Sequence, residues 1–191
     1  ASLSTKERNA AIKAMARQIQ ADSDRILAAN RDYVRTAEGT GLSSAMLGRL
    51  KLDAKKIAGM VDGLNAIAAL PDPLGRELEH TTRPNGLKIR KISVPLGVIL
   101  IIFESRPNVA ADCAGLCVKS GNAVILRGGK EAIRSNAAIH ASVVTALKKR
   151  GVHPGAVTFV ESTDRKDVGH LLGFAGEIDV VIPRGGPSLI K

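Results

Sequence analysis

Tryptophan is absent from this 191-residue chain, and one tyrosine and three phenylalanines supply all of its aromatic rings. Single-stranded nucleic acid is usually held by stacking bases on such rings, and Tyr33, Phe103, Phe159 and Phe174 are too few and too scattered to form a platform. Cysteine is almost as scarce. Cys113 and Cys117 stand four residues apart without an Asp, Glu or His ligand cluster, which excludes a disulfide framework and argues against a zinc site. They read as two small hydrophobes on the buried face of a helix, with a reactive thiol as the alternative. No apolar run is longer than Val98 to Phe103, far short of the roughly 20 residues that a membrane-spanning helix needs. Ala1 to Ala16 alternates charged and apolar residues and lacks the apolar stretch and cleavage site of a signal peptide, so the expected setting is cytoplasmic, with no membrane partner.

What is abundant is positive charge. Lys and Arg number 28 against 18 Asp and Glu, a net charge of +10, with no basic tail to collect it. An even excess of this kind suits anionic partners, from a phosphorylated metabolite or a dinucleotide up to nucleic acid.

The first 70 residues carry helical periodicity. Ser4 with Glu7 has the form of a capping box, and Ile12, Met15, Ala16 and Ile19 then recur on one face. A second helix is predicted from Ser23 to Ala37, broken by Gly39 to Gly41, a short third from Ser43 to Leu50, and a fourth after Asp53 as N-cap that ends before Pro71. Beyond Gly75, Leu78 to Arg83 and Leu87 to Ser93 flank Pro84, Asn85 and Gly86, which is a hairpin signal. One polar side places this hairpin at an edge or against a partner.

From Leu96 onward, apolar runs alternate with helical stretches. Gly97 to Phe103, Ala123 to Arg127, Ala156 to Val160 and Ile178 to Ile182 read as strands. Val109 to Lys119, with Asn108 as N-cap, then Glu131 to Arg150 and Asp164 to Phe174 read as the intervening helices. Strands separated by that much helix cannot be hairpin partners, so the expectation is an α/β fold: a Rossmann-like parallel sheet with a helical N-terminal region and a small β-hairpin. The predicted organisation is residues 1–75 as the helical region, 76–95 as the hairpin and 96–191 as an incomplete Rossmann-like domain. Pro187 and Ser188 look like the opening of a further helix, which suggests the N-terminal part of something longer.

In such sheets ligands bind beyond the carboxyl ends of the strands. Arg127, Gly128, Gly129 and Lys130 join a strand to a helix there. The glycines let backbone approach a phosphate and the cations supply charge, although a tight turn with solvated charges is the plain alternative. Neither G-x-G-x-x-G nor G-x-x-x-x-G-K-[ST] occurs. Arg184, Gly185 and Gly186 repeat the chemistry after another strand. In the loop Glu104, Ser105, Arg106, Pro107, Asn108, the arginine and asparagine could hold an anion or an oxyanion. His80, His140, His153 and His170 accompany no nucleophile and read as structural or solvated. The residues alone reach a phosphate- or nucleotide-binding α/β module, and a stand-alone basic nucleotide- or nucleic-acid-binding module is the alternative function.

Three stretches go further. Val94 to Ile99 leading into Phe103, Glu104, Ser105, Arg106, Pro107, Asn108, then Lys119 to Ala132, then Ile178 to Gly186 closely resemble the gamma-glutamyl phosphate reductase family (glutamate-5-semialdehyde dehydrogenases) of the aldehyde dehydrogenase superfamily. The resemblance implies a Rossmann-like coenzyme domain, a catalytic domain and an oligomerisation hairpin. It implies NADPH-dependent reduction of L-glutamate 5-phosphate to L-glutamate 5-semialdehyde and phosphate in L-proline biosynthesis, no nucleic-acid partner, a homo-oligomer, and glutamate 5-kinase as a candidate partner. In that chemistry a cysteine thiolate displaces phosphate before hydride transfer. The family's nucleophile lies beyond position 191, and neither Cys113 nor Cys117 matches it, so the isolated chain is expected to be inactive. By position, Asn108 resembles the superfamily's oxyanion-stabilising asparagine. Arg127 with Lys130 suits the 2'-phosphate of NADP, the Arg184, Gly185, Gly186 turn resembles the one near the pyrophosphate, and Ser105 and Arg106 belong to the family's signature loop; we take these two as the expected contacts of the substrate phosphate.

Overall fold

The computed structural model describes residues 3–38, 44–104, 106–164 and 166–186. Ser4 opens α1 (Thr5–Ala21): its hydroxyl accepts from the Glu7 amide while Glu7 reaches back to the Ser4 amide, satisfying two amides that the helix cannot. Ile12, Met15, Ala16 and Ile19 are buried as the spacing predicts. Helices α2 (Ser23–Glu38) and α3 (Ser44–Leu50) follow, and Asp53 caps α4 (Ala54–Ala69) by accepting from the Lys56 amide. The breaker at Gly39 to Gly41 and the helix expected from Pro187 lie outside the described residues.

The antiparallel hairpin joins β1 (Glu77–Thr82) to β2 (Lys88–Ile92), with Gly86 at φ +84 in its turn. It is exposed on both faces, and Leu78, Leu87, Ile89 and Ile92 are each about half exposed. A lone two-stranded ribbon has little stability of its own.

Four parallel strands make the main sheet: β3 (Val98–Phe103), β4 (Ala123–Arg127), β5 (Val157–Phe159) and β6 (Val180–Arg184), in the order β5, β4, β3, β6. The connecting helices are α5 (Asn108–Lys119), α6 (Ile133–Lys149) and α7 (Lys166–Leu172). Several element ends differ from expectation: β5 and α7 are shorter at both ends, and β6 begins and ends two residues later than Ile178 to Ile182, so that Arg184 closes the strand instead of following it. Two more differences bear on the site. Lys130 to Ala132 form a tighter 3-10 turn before α6 begins. Asn108 is not the N-cap of α5 but its first helical residue. Pro107 holds the cap position in helical backbone without any side-chain cap bond, and the Asn108 amide is turned to Asp112 instead.

Passing from β3 through α5 and α6 to β5 moves one way across the sheet, and right-handed crossovers put those two helices on one face. The step back through α7 to β6 puts α7 on the other. Helices α1 and α4 pack on α5, and α1 and α2 on α6, giving that face a second helical layer. Its core joins Ile12, Met15, Leu64 and Ile67 to Ile99, Ile101, Phe103, Val124 and Leu126. Asn30, buried, ties the layers together: it donates to the Leu50 carbonyl and to Ser135 Oγ, and accepts from the Leu52 amide.

Candidate functional site

Because all four strands run parallel, their carboxyl ends and the loops that follow share one rim. Glu104 to Asn108, Arg127 to Lys130, 160–164 and Arg184 to Gly186 meet there, whereas Ser105 lies outside the described residues. Register then divides the cations. Arg127 is the partner of Ile102 and Arg184 the partner of Phe103, and consecutive residues of β3 point to opposite faces. The two arginines therefore share a rim without sharing a face, a division visible only once the pairing is known.

Arg127 projects to the α7 side. It is only 9% exposed, with Nη2 3.4 Å from each of the Thr163 and Asp164 carbonyls and a buried Nε that has no partner. Two long contacts satisfy a five-donor guanidinium poorly. Lys130 is exposed three residues on. Gly129 precedes the 3-10 turn in extended backbone, and no side chain caps that turn. Gly128 has a different reason for being glycine. A Cβ there would overlap Asn136 Nδ2 and stand 3.3 Å from the Phe103 ring, so its bareness serves the packing of α6 on the sheet. Asn136 is wholly buried beneath it, with neither amide atom partnered.

Arg184 is exposed and projects to the other face, near α5. The Glu104 amide donates to the Arg184 carbonyl at 3.3 Å, and Glu104 Oε1 accepts from the Gly186 amide at 2.9 Å, pinning the turn after β6 to the loop after β3. Arg106 is exposed, and its amide donates to the Glu104 carbonyl at 2.7 Å. Asn108 is exposed at the start of α5, and its Nδ2 donates to Asp112 Oδ2 at 3.2 Å. Burial raises the Asp112 carboxyl above its usual range, opposed by the Asn108 hydrogen bond and by the Arg184 charge. The roles of Glu104 and Asp112 were missed from sequence, although Asn108 and Asp112 stand at the i, i+4 spacing that brings helical side chains together.

The thiols are chemically quiet. Burial pushes Cys113 up to about 11 and Cys117 up to about 12, above the ordinary thiol range, which disfavours the thiolate at both. The histidines stand apart from the rim cluster. His140 Nε2 lies 3.0 Å from the Val157 carbonyl, and His153 Nδ1 accepts from the Gly155 amide, while His80 and His170 are exposed. Among the described residues no group of His, Cys, Asp and Glu could hold a metal ion, and no helix is long and apolar enough to cross a membrane. A cavity of about 120 Å3, lined by Leu3, Arg8, Val118, Gly121, Asn122 and Val152 among others, lies beside the amino end of β4 and includes none of the candidate residues.

No family model matches the chain. It is 52% identical over 185 residues to a curated gamma-glutamyl phosphate reductase of Caulobacter vibrioides, a match covering 96% of this chain and 45% of that protein. The chain thus spans just under half the length of the curated relatives it matches. The crystal structure of gamma-glutamyl phosphate reductase from Thermotoga maritima superposes with a TM-score of 0.96 at 39% identity, over 99% of this chain and 46% of that one. A probable aldehyde dehydrogenase from Listeria monocytogenes shares the fold, at a TM-score of 0.74 and 16% identity over 99% of this chain and 39% of that one.

Proposed function

We propose that this chain, a homologue of the gamma-glutamyl phosphate reductases, is the N-terminal, coenzyme-binding portion of such an enzyme, which reduces L-glutamate 5-phosphate with NADPH to L-glutamate 5-semialdehyde and phosphate in L-proline biosynthesis. The observation that carries the coenzyme assignment is Arg127: a nearly buried guanidinium with spare donors, beside exposed Lys130 and an uncapped turn at the carboxyl rim. That combination fits a 2'-phosphorylated dinucleotide. A guanidinium with unfilled donors gains from an anion, and fixed cations at that corner select NADPH over NADH.

When bound, NADPH supplies the hydride. Arg127 and Lys130 would hold its 2'-phosphate, and the turn of Arg184, Gly185 and Gly186, kept in place by Glu104, would border its pyrophosphate. Asn108 would donate from Nδ2 to the substrate carbonyl oxygen as negative charge gathers there. Arg106, with Ser105, would pair with the departing phosphate. Neither Cys113 nor Cys117 is assigned as the nucleophile: neither matches the family's reacting cysteine, and burial raises both thiols above their ordinary range. The exposed hairpin, with half its apolar surface uncovered, supports a homo-oligomer contact. Because an acyl phosphate hydrolyses readily, glutamate 5-kinase is the candidate partner that would hand it over. A cytoplasmic setting goes with this reading.

The 191-residue chain is expected to bind NADPH but to give no phosphate-dependent turnover when supplied with glutamate 5-semialdehyde, NADP+ and phosphate, as followed by reduced-nicotinamide absorbance. Turnover by this chain alone would overturn its assignment as a non-catalytic portion, and failure to bind NADPH would overturn the coenzyme assignment.

A further inference from the structure

We propose that Asp112 is a positioning residue that fixes the direction of the Asn108 amide at the rim. This rests on the reading of Asn108 as the oxyanion donor and adds a residue to it. An asparagine side chain has two nearly isosteric ends, a donor and an acceptor, and nothing in its own shape decides which faces a given point. Asn108 is exposed at the first position of α5, so burial does not decide which end faces the rim. Asp112, one turn later, removes the ambiguity. An ionised carboxylate only accepts hydrogen bonds, so its Oδ2, 3.2 Å away, admits the Nδ2 end and rejects Oδ1. One N–H is thereby committed, and the second N–H of the same nitrogen is left with a fixed direction.

The carboxylate is itself held. Asp112 is half-buried between Asn108 and α4, where Gly63 leaves room: a Cβ on that glycine would stand 3.5 Å from Asp112 Oδ1. Arg184 on β6 adds positive charge from the neighbouring strand, while Cys113 beside it stays a neutral thiol. A surface carboxylate would share its acceptors with water. This one is constrained on the helix side and electrostatically held on the sheet side, as a group that orients another should be.

Two measurements separate this role from plain stability. In the chain itself, Asp112→Ala is expected to shift and narrow the separation of the two Nδ2 proton resonances of Asn108. Asp112→Asn, which keeps an acceptor oxygen, should retain the wild-type pattern in part. In a complete reductase carrying this chain, Asn108→Ala should lower kcat about 100-fold. Asp112→Ala should lower it about 10-fold with the KM for NADPH unchanged, and the double variant should be no slower than Asn108→Ala alone. Additive losses, or Asn108 resonances indifferent to Asp112→Ala, would overturn the proposal. If Asn108→Ala leaves turnover intact while the resonances do respond to Asp112, the oxyanion reading falls and takes this role with it, leaving only the hydrogen bond.

Discussion

Gly97→Ala is expected to destabilise the chain by about 3–5 kcal/mol, lowering its thermal midpoint by about 10 °C or more. Two independent costs meet at this position. Gly97 has φ +121, a backbone region that an L side chain enters only with strain. A Cβ there would also overlap Asp179 Oδ2 and lie 2.6 Å from Asp179 Cγ. Moving that carboxylate would break its 2.7 Å bond from the Val98 amide, beside the 2.9 Å bond from the Asp179 amide to the Val98 carbonyl. Those bonds hold the amino ends of β3 and β6 together. Since β3 is central and buried along its length, the damage would spread through the sheet. Equilibrium denaturation checks this, and a loss below about 1 kcal/mol would mean that the glycine turn relaxes at little cost. The change lies at the rim opposite the candidate site, so a variant that still folds should keep its coenzyme preference.

Arg127→Ala combined with Lys130→Ala is expected to raise the Kd for NADPH about 100-fold and that for NADH less than threefold. Charge-assisted hydrogen bonds are worth about 1.5–3 kcal/mol each, and only the 2'-phosphorylated coenzyme would lose them. The single variants should be unequal. Lys130 is exposed and its charge is shared with solvent. Arg127 is 9% exposed, with two long carbonyl contacts and an unpartnered Nε, so it has more to gain from an anion and more to lose by removal. Isothermal titration with both coenzymes checks the pair, and equal weakening would discard the 2'-phosphate role.

Much of this molecule could be read along the sequence, and what could not has a common cause. The capping box at Ser4 and Glu7, the cap at Asp53, the Asn85 and Gly86 turn and the alternation of apolar runs with helical stretches are local signals, and the structure carries each of them. The misplaced cap at Asn108 shows where local rules compete. The asparagine had a good cap residue's chemistry, but Pro107 before it already takes helical angles, and Asp112 one turn on offers its amide a better acceptor. Other features are set by tertiary placement and leave no local mark. The division of Arg127 and Arg184 between faces follows from strand register, the bareness of Gly128 from Asn136 and Phe103, and that of Gly97 from Asp179. Glycines that look alike along the sequence thus differ in surroundings: Gly128 leaves room for Asn136 and the Phe103 ring, while Gly129 precedes the 3-10 turn in ordinary extended backbone.

An amide chemical-shift map of this chain, titrated with NADPH and, separately, with NADH, tests the coenzyme site at the carboxyl rim. NADPH is expected to move residues 104–110, 127–134, 160–164 and 184–186 together, at a Kd at least about tenfold below that of NADH. Shifts centred instead on Gly97, Asn122 and Val152 at the amino ends of the strands, or equal affinity for the two coenzymes, would contradict that assignment.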